Sequence, residues 1–340
     1  MKNTLILLMI LFISCEKKTD SLNNIFEKFE LKKIKSISLQ DLNLNAEFSY
    51  LFSLKFIDDL LIISDNNSDF HMKIADLKNK NTRNFVQIGR GPNEIGSQGY
   101  SYTTDIAENK LYITGENKCL VYSIAKLKRG NDDPIGLLNI KLNEESFMHK
   151  IYIGGNYVFG SLIQNRFGLY NFVNKKLIKK YEYDLGPLLN QCMFSKHPTR
   201  NQIAFLEIKN ASLGVVSYDS IDFKLHEKKW WKSKSKEVGD GVDNIEIIPS
   251  KERRTAFISH AISEKYIYSL YSGKKINYLS PYDALQSNKI YVFDWEGNPI
   301  KRFELDKEVR SIAIDEKNNI LYAGAIGEDG ELSLVKFELE

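Results

Sequence analysis

Apolar positions along this chain recur in short runs and almost never as a helical stripe. From Tyr50 onward, apolar or alternating runs come about every eight to ten residues, separated by Asn, Asp, Gly and Lys. Spacing of this kind predicts an all-β chain, whether sandwich, barrel or propeller. A longer period decides between them. Residues 309–339 read as three strands: Arg310 to Asp315, Ile320 to Ala325 and Leu332 to Phe337, with an Asn-rich turn and then a Gly-Asp turn between them. The same unit recurs at residues 101–126, where a fourth strand, Gly136 to Leu142, completes it.

Applied along the chain, this four-strand template predicts blades at about 46–90, 100–143, 146–185, 190–233 and 253–306, and a sixth at 307–340 with only three strands. The extended, alternating segment Leu31 to Leu39 is left over at the other end. Pairing it with the strand at 332–339 closes the ring and leaves no long edge exposed. The expected fold is therefore a six-bladed β-propeller over residues 29–340, its last blade completed by an N-terminal strand.

The first residues follow a different pattern. Lys2 precedes an apolar run from Leu5 to Ile13, and Ser14-Cys15 follows. A basic start, a short apolar run and a small residue at the cut form the pattern of a secretory signal. The run is too short to span a bilayer, which takes roughly 20 apolar residues. Phe12-Ile13-Ser14-Cys15 resembles the lipobox of bacterial lipoproteins, with Phe where that consensus has Leu. The resemblance implies a signal peptide over 1–14 and a mature N-terminus at Cys15 carrying acyl chains such as palmitate. Two or more chains hold firmly, since each buried methylene contributes about 0.8 kcal/mol. Residues 15–28 are polar, without period, and read as a tether. Glu16 is not the Asp of inner-membrane retention signals, which favours the outer membrane.

Composition narrows the chemistry. Lys and Arg number 47 against 44 Asp and Glu, a near balance that gives no electrostatic footing for nucleic acid. Tyr and Phe are abundant and Pro is scarce, which suits half-buried strands. Of the three cysteines, Cys15 is the anchor, while Cys119 and Cys192 fall in different repeats and read as buried free thiols. No two of the five histidines sit at metal-ligand spacing, and neither Cys-x-x-Cys nor Gly-x-Ser-x-Gly occurs. Asp65, Asn66, Asn67 and Asp69 lack the Gly and the closing Glu of an EF-hand loop and read as a β-turn. Trp230-Trp231, flanked by lysines, reads as strand packing.

Two segments carry a family resemblance. One is Phe85-Val86-Gln87-Ile88-Gly89-Arg90-Gly91-Pro92-Asn93-Glu94. The other is Ile290 to Pro299 (IYVFDWEGNP) with Phe303-Glu304-Leu305-Asp306. Together with the lipobox they look like the TolB-like six-bladed propeller lipoproteins of Bacteroidetes. The resemblance implies a fold and a cell-envelope location, and no activity. Both segments also have a structural reading: Gly89 to Pro92 crosses from one blade to the next, Gly297-Asn298-Pro299 turns one strand into another, and Phe293 and Trp295 pack between blades.

Without a catalytic constellation or an implied cofactor, the expected role is a non-enzymatic binding or scaffold protein, held to the membrane by its lipid, whose partner is an envelope protein or a small ligand. The three longest interruptions, 89–99, 234–252 and 274–287, all project from one face of such a propeller. Long loops on a rigid scaffold are where binding usually sits. Arg90, Glu94, Arg253, Arg254, Tyr278, Tyr282 and Asp283 lie in or beside them and form the candidate binding face; Arg and Tyr are enriched at binding hot spots. The alternative reading is a metal-dependent enzyme of the lactonase or lyase type. It needs carboxylate and Asn side chains converging on a central channel, and Asp105, Glu207 and Asn210 are the candidates.

Overall fold

A computed structural model describes residues 29–38, 47–97, 100–140, 147–162, 166–182, 192–208, 213–219, 225–231, 254–277, 281–327 and 330–339. Its strands form a ring of six antiparallel blades. Four are separate four-stranded sheets, starting at Ser53, Ser101, Phe147 and Cys192. The other two share one eight-stranded sheet, because Pro299–Asp315 is a single long strand. Its first half is the outer strand of blade five and its second half the inner strand of blade six.

The second strand of each blade shows why the apolar runs are continuous. Leu60, Leu61, Ile62 and Ile63 are all buried. Leu60 and Ile62 pack toward blade two, whereas Leu61 and Ile63 pack toward blade six. A strand covered on both faces shows no polar alternation. Six apolar clusters result, one in each seam between neighbouring blades, including the seam between blade six and blade one. Gly214 permits one of these seams: a Cβ there would lie 2.0 Å from the Phe205 ring. Cys119 and Cys192 are buried free thiols. The Asp65–Asp69 turn is held by the Asn67 Oδ1, which accepts from the backbone N–H of Asp69 and Phe70 at 2.9 and 2.8 Å.

The N-terminal segment closes the last blade, and does more than the alternation predicted. Ser36–Ser38 pairs antiparallel with the blade-six strand Leu332–Glu338. The preceding residues, Glu30–Ile34, do not join that ladder. They run parallel to 301–305 and add a fifth strand to blade five. One segment thus clamps two blades. The turn between them is fixed by Asp306, whose carboxylate accepts from the Ser36 backbone N–H at 2.9 Å and its hydroxyl at 3.2 Å.

Candidate functional site

The six inner strands surround a central cavity of about 190 Å³. Which side chains face it follows from strand periodicity. In Phe257–Ile262 burial alternates strictly, and Ile258, His260 and Ile262 are the half-buried positions that see the channel. Met193 and Ser195 do the same in blade four, and Ser53 and Lys55 in blade one.

Polar groups meet at mid-depth. The Ser195 hydroxyl and His260 Nε2 are 2.5 Å apart, joining blades four and five. Burial, and then the nearby charge of Lys55, push the His260 imidazole down to about 4, so it is neutral at physiological pH. Burial likewise pulls the Lys55 ammonium down to about 8. Lys150, from blade three, falls to about 8 for the same reason, although its Nζ donates to the Glu116 carbonyl at 2.7 Å. The Tyr102 phenol donates to Ser53 Oγ at 2.9 Å and is raised to about 12 by burial. Around these groups stand Phe52, Phe56, Phe194, Ile258 and Ile262. Among the described residues the wall includes no Asp or Glu.

The candidate catalytic carboxylates do not converge on the cavity. Asp105 lies 3.7 Å from Lys196 as an ion pair at the end of its inner strand. Glu207 is buried at the end of the second strand of blade four. Neither lines the cavity, and Asn210 lies outside the described residues. Among the described residues no three His, Cys, Asp or Glu side chains are grouped to hold a metal ion.

The long-loop face carries the channel mouth. Strand order places residues 88–97, 272–277 and 281–286 on the face where the inner strands begin. Arg90 is exposed there. Glu94 is turned into its own loop: its carboxylate accepts from the Gly91 N–H at 2.6 Å, and a Cβ on Gly89 would lie 2.0 Å from it. That loop is also tied to both blades it connects. Lys118 donates to the Gly91 carbonyl, and His71 Nε2 lies 3.0 Å from the Gly96 carbonyl. Arg254 donates to the Gly273 carbonyl at 2.8 Å. Tyr282 and Asp283 are exposed on a short 3-10 helix, Pro281–Leu285. Cys15, Arg253, Tyr278 and the 234–252 loop lie outside the described residues.

One cluster at this mouth was not foreseen. The Arg310 guanidinium, at the start of the blade-six inner strand, sits 5.3 Å from the Tyr282 ring and 5.7 Å from the Phe52 ring. Phe52 in turn stacks on Tyr50 at 5.1 Å with nearly parallel planes. Tyr50, Phe52 and Tyr282 are 39%, 43% and 51% exposed, so three aromatic rings are gathered at the surface around Arg310.

Comparisons with known proteins agree on the fold. Residues 194–317 match the family described as TolB-like 6-blade propeller-like. The matched stretch contains the Ile290–Pro299 motif and not the Gly89 loop. The chain is similar to the β-propeller domain of Cps50 (Swd1) from Myceliophteria thermophila. Identity is 9% and the TM-score 0.54, over 90% of this chain and 98% of that one. It is similar also to Raptor from Chaetomium thermophilum, at 8% identity and a TM-score of 0.52, over 95% of this chain and 30% of that one. No curated protein matches the chain.

Proposed function

We propose that this propeller is a non-catalytic binding protein of the cell envelope, tethered by acyl chains on Cys15, which takes its ligand or partner at the channel mouth on the long-loop face. The observation that carries the reading is the mouth itself: exposed Tyr50, Phe52 and Tyr282 around Arg310, above a cavity walled by all six blades. A rigid ring with an aromatic rim and a central chamber of mixed apolar and polar lining has the form of a recognition site. The metal-enzyme alternative draws no support from Asp105, which is already committed to Lys196.

The mouth is tested by two multiple variants. One replaces Arg90, Arg254 and Tyr282 by alanine. The other replaces Glu108, Lys265 and Lys317, exposed residues in the turns of the opposite face. Asn109 and Asn319, also in those turns, are avoided because both hold positive φ, at 55° and 53°, and alanine there adds strain. Recovery of the native envelope partner should fall at least tenfold for the first variant and stay unchanged for the second. Equal recovery from both removes the long-loop face as the binding surface.

The anchor is tested separately. Cys15→Ala is expected to block incorporation of radiolabelled palmitate and to release the protein from the membrane fraction, or to leave it unprocessed. Label entering the variant would move the anchor elsewhere.

A further inference from the structure

The cavity wall is unusual in its charge. Among the described residues it presents two lysines and a histidine, Lys55, Lys150 and His260, and no carboxylate. Lys150 is satisfied in part by the Glu116 carbonyl. Lys55 has no hydrogen bond or ion pair among the described residues. An ammonium enclosed without a counter-charge is costly, and a stable protein usually pairs it. The remainder of the wall is aromatic and aliphatic, interrupted by the hydroxyls of Ser53, Ser101, Ser195 and Ser259.

The geometry points to the central channel as a site for a small organic carboxylate, its head held by Lys55 beside the Ser195–His260 pair and its apolar part lying against Met193, Ile258 and Ile262. This rests on the reading of the channel and its mouth as the binding site.

Three features select this ligand class. The cavity, at about 190 Å³, lies below the roughly 300–1,000 Å³ typical of drug-sized ligands, so the occupant is small. The apolar wall disfavours a bare inorganic anion, which would lose its hydration on most sides. A monocarboxylate matches one ammonium, with the Ser195 hydroxyl and the Tyr102 hydroxyl as further polar neighbours.

Among the described residues the titratable groups on the wall are Lys55, Tyr100, Tyr102, Lys150, Cys192 and His260. Burial lifts the two phenols and the thiol above their ordinary values and lowers His260 to about 4. Between pH 6 and 10, roughly, the two lysines are the groups among these that change charge. A carboxylate that prefers charged Lys55 should therefore bind well below pH 8 and progressively less above it. By linkage, bound carboxylate raises the Lys55 titration midpoint, by about one pH unit for a tenfold preference.

Pentanoate is the probe, with pentan-1-ol as its neutral counterpart and inorganic phosphate as the bare anion. Each is titrated calorimetrically into the full chain purified in detergent, and Lys55 and His260 are followed by NMR in protein labelled with ¹³C-lysine and ¹³C-histidine. Pentanoate is expected to bind at least tenfold more tightly than pentan-1-ol and than phosphate. Lys55→Met should weaken pentanoate at least tenfold, and Lys150→Met less than threefold. Lys55→Met removes an enclosed charge and should melt no lower than wild type. The comparison of the three probes on wild-type protein stands even if that variant misfolds. If pentan-1-ol binds as well as pentanoate and shifts the His260 signals, the channel is a binding site and the carboxylate proposal is wrong. Tighter binding of phosphate also overturns it. If no probe perturbs Lys55 or His260, the proposal and the channel reading fall together.

Discussion

Deleting residues 29–38 is expected to remove the single cooperative unfolding transition and leave an aggregation-prone protein. Three losses combine. Phe29 is buried in the seam between blades four and five, with its ring 5.0 Å from Tyr291 and 5.2 Å from Phe293, edge-on to both. Emptying such a site costs about 3–5 kcal/mol. The parallel ladder on 301–305 and the antiparallel ladder on 335–337 are lost with it. The blade-six strand Leu332–Glu338 then becomes an open edge, a template for pairing with other chains. Native domains hold only about 5–15 kcal/mol in all. The seam between blades six and one does not depend on this segment, because Leu51, Leu54, Leu61 and Ile63 pack there against Ala313, Tyr322 and Leu334. The ring is therefore closed by packing, and the N-terminal segment clamps it. Phe29→Ala alone should lower the melting temperature yet keep one transition, while the full deletion should not. Circular dichroism melts with size-exclusion chromatography read both, and a truncated protein that stays monomeric and melts with the wild type would refute the clamp.

The blades were legible because a strand buried on both faces leaves a plain mark, as the run Leu60 to Ile63 does. The closing strand was legible as an unmatched alternating segment. Its parallel half was not, because Leu31-Lys32-Lys33-Ile34 carries no information about its partner or direction. The structure supplies that through Asp306, which holds Ser36 and sends the chain from one blade to the next. The polar centre of the channel was harder still. Lys55, Ser195 and His260 come from three blades and share no spacing. The only trace each leaves is a polar residue at an alternating position of an inner strand, as in Phe257-Ile258-Ser259-His260-Ala261-Ile262. Recognising such residues requires knowing which strand of each repeat is innermost. Glu94 shows the opposite problem: a charged residue in a long loop resembles a contact residue, while its carboxylate is used three residues back, on the Gly91 N–H. Half of the mouth cluster is visible in the sequence, since Tyr282 lies in a long loop, whereas Arg310 sits inside a strand pattern and carries no such mark.

Asp65→Ala is expected to destabilise the protein by about 3–5 kcal/mol, the range for breaking one side of a buried ion pair. Its side chain is fully buried and lies 2.8 Å from the Lys73 ammonium, itself only 15% exposed. The other oxygen accepts from the backbone N–H of Ser49 at 2.7 Å and of Tyr50 at 2.6 Å. One carboxylate thus neutralises a lysine and fixes the chain as it enters the first inner strand. Alanine leaves Lys73 without its ion-pair partner and two backbone donors without an acceptor. Asp65→Asn should cost less, because an amide oxygen still serves Ser49 and Tyr50 while the charge is lost. Adding Lys73→Met to Asp65→Ala should recover part of the loss, since the orphaned ammonium is then gone. The effect also reaches the mouth. Tyr50 carries the ring stacked on Phe52, and Phe52 is one of the two rings beside Arg310. Loosening residues 49–50 should therefore weaken partner recovery as well as stability, under conditions where the variant remains folded. Urea unfolding gives the first quantity and envelope pull-down the second. A midpoint equal to wild type for Asp65→Ala would show that the carboxylate does not anchor this segment. A large stability loss with unchanged recovery would separate the segment from the binding surface.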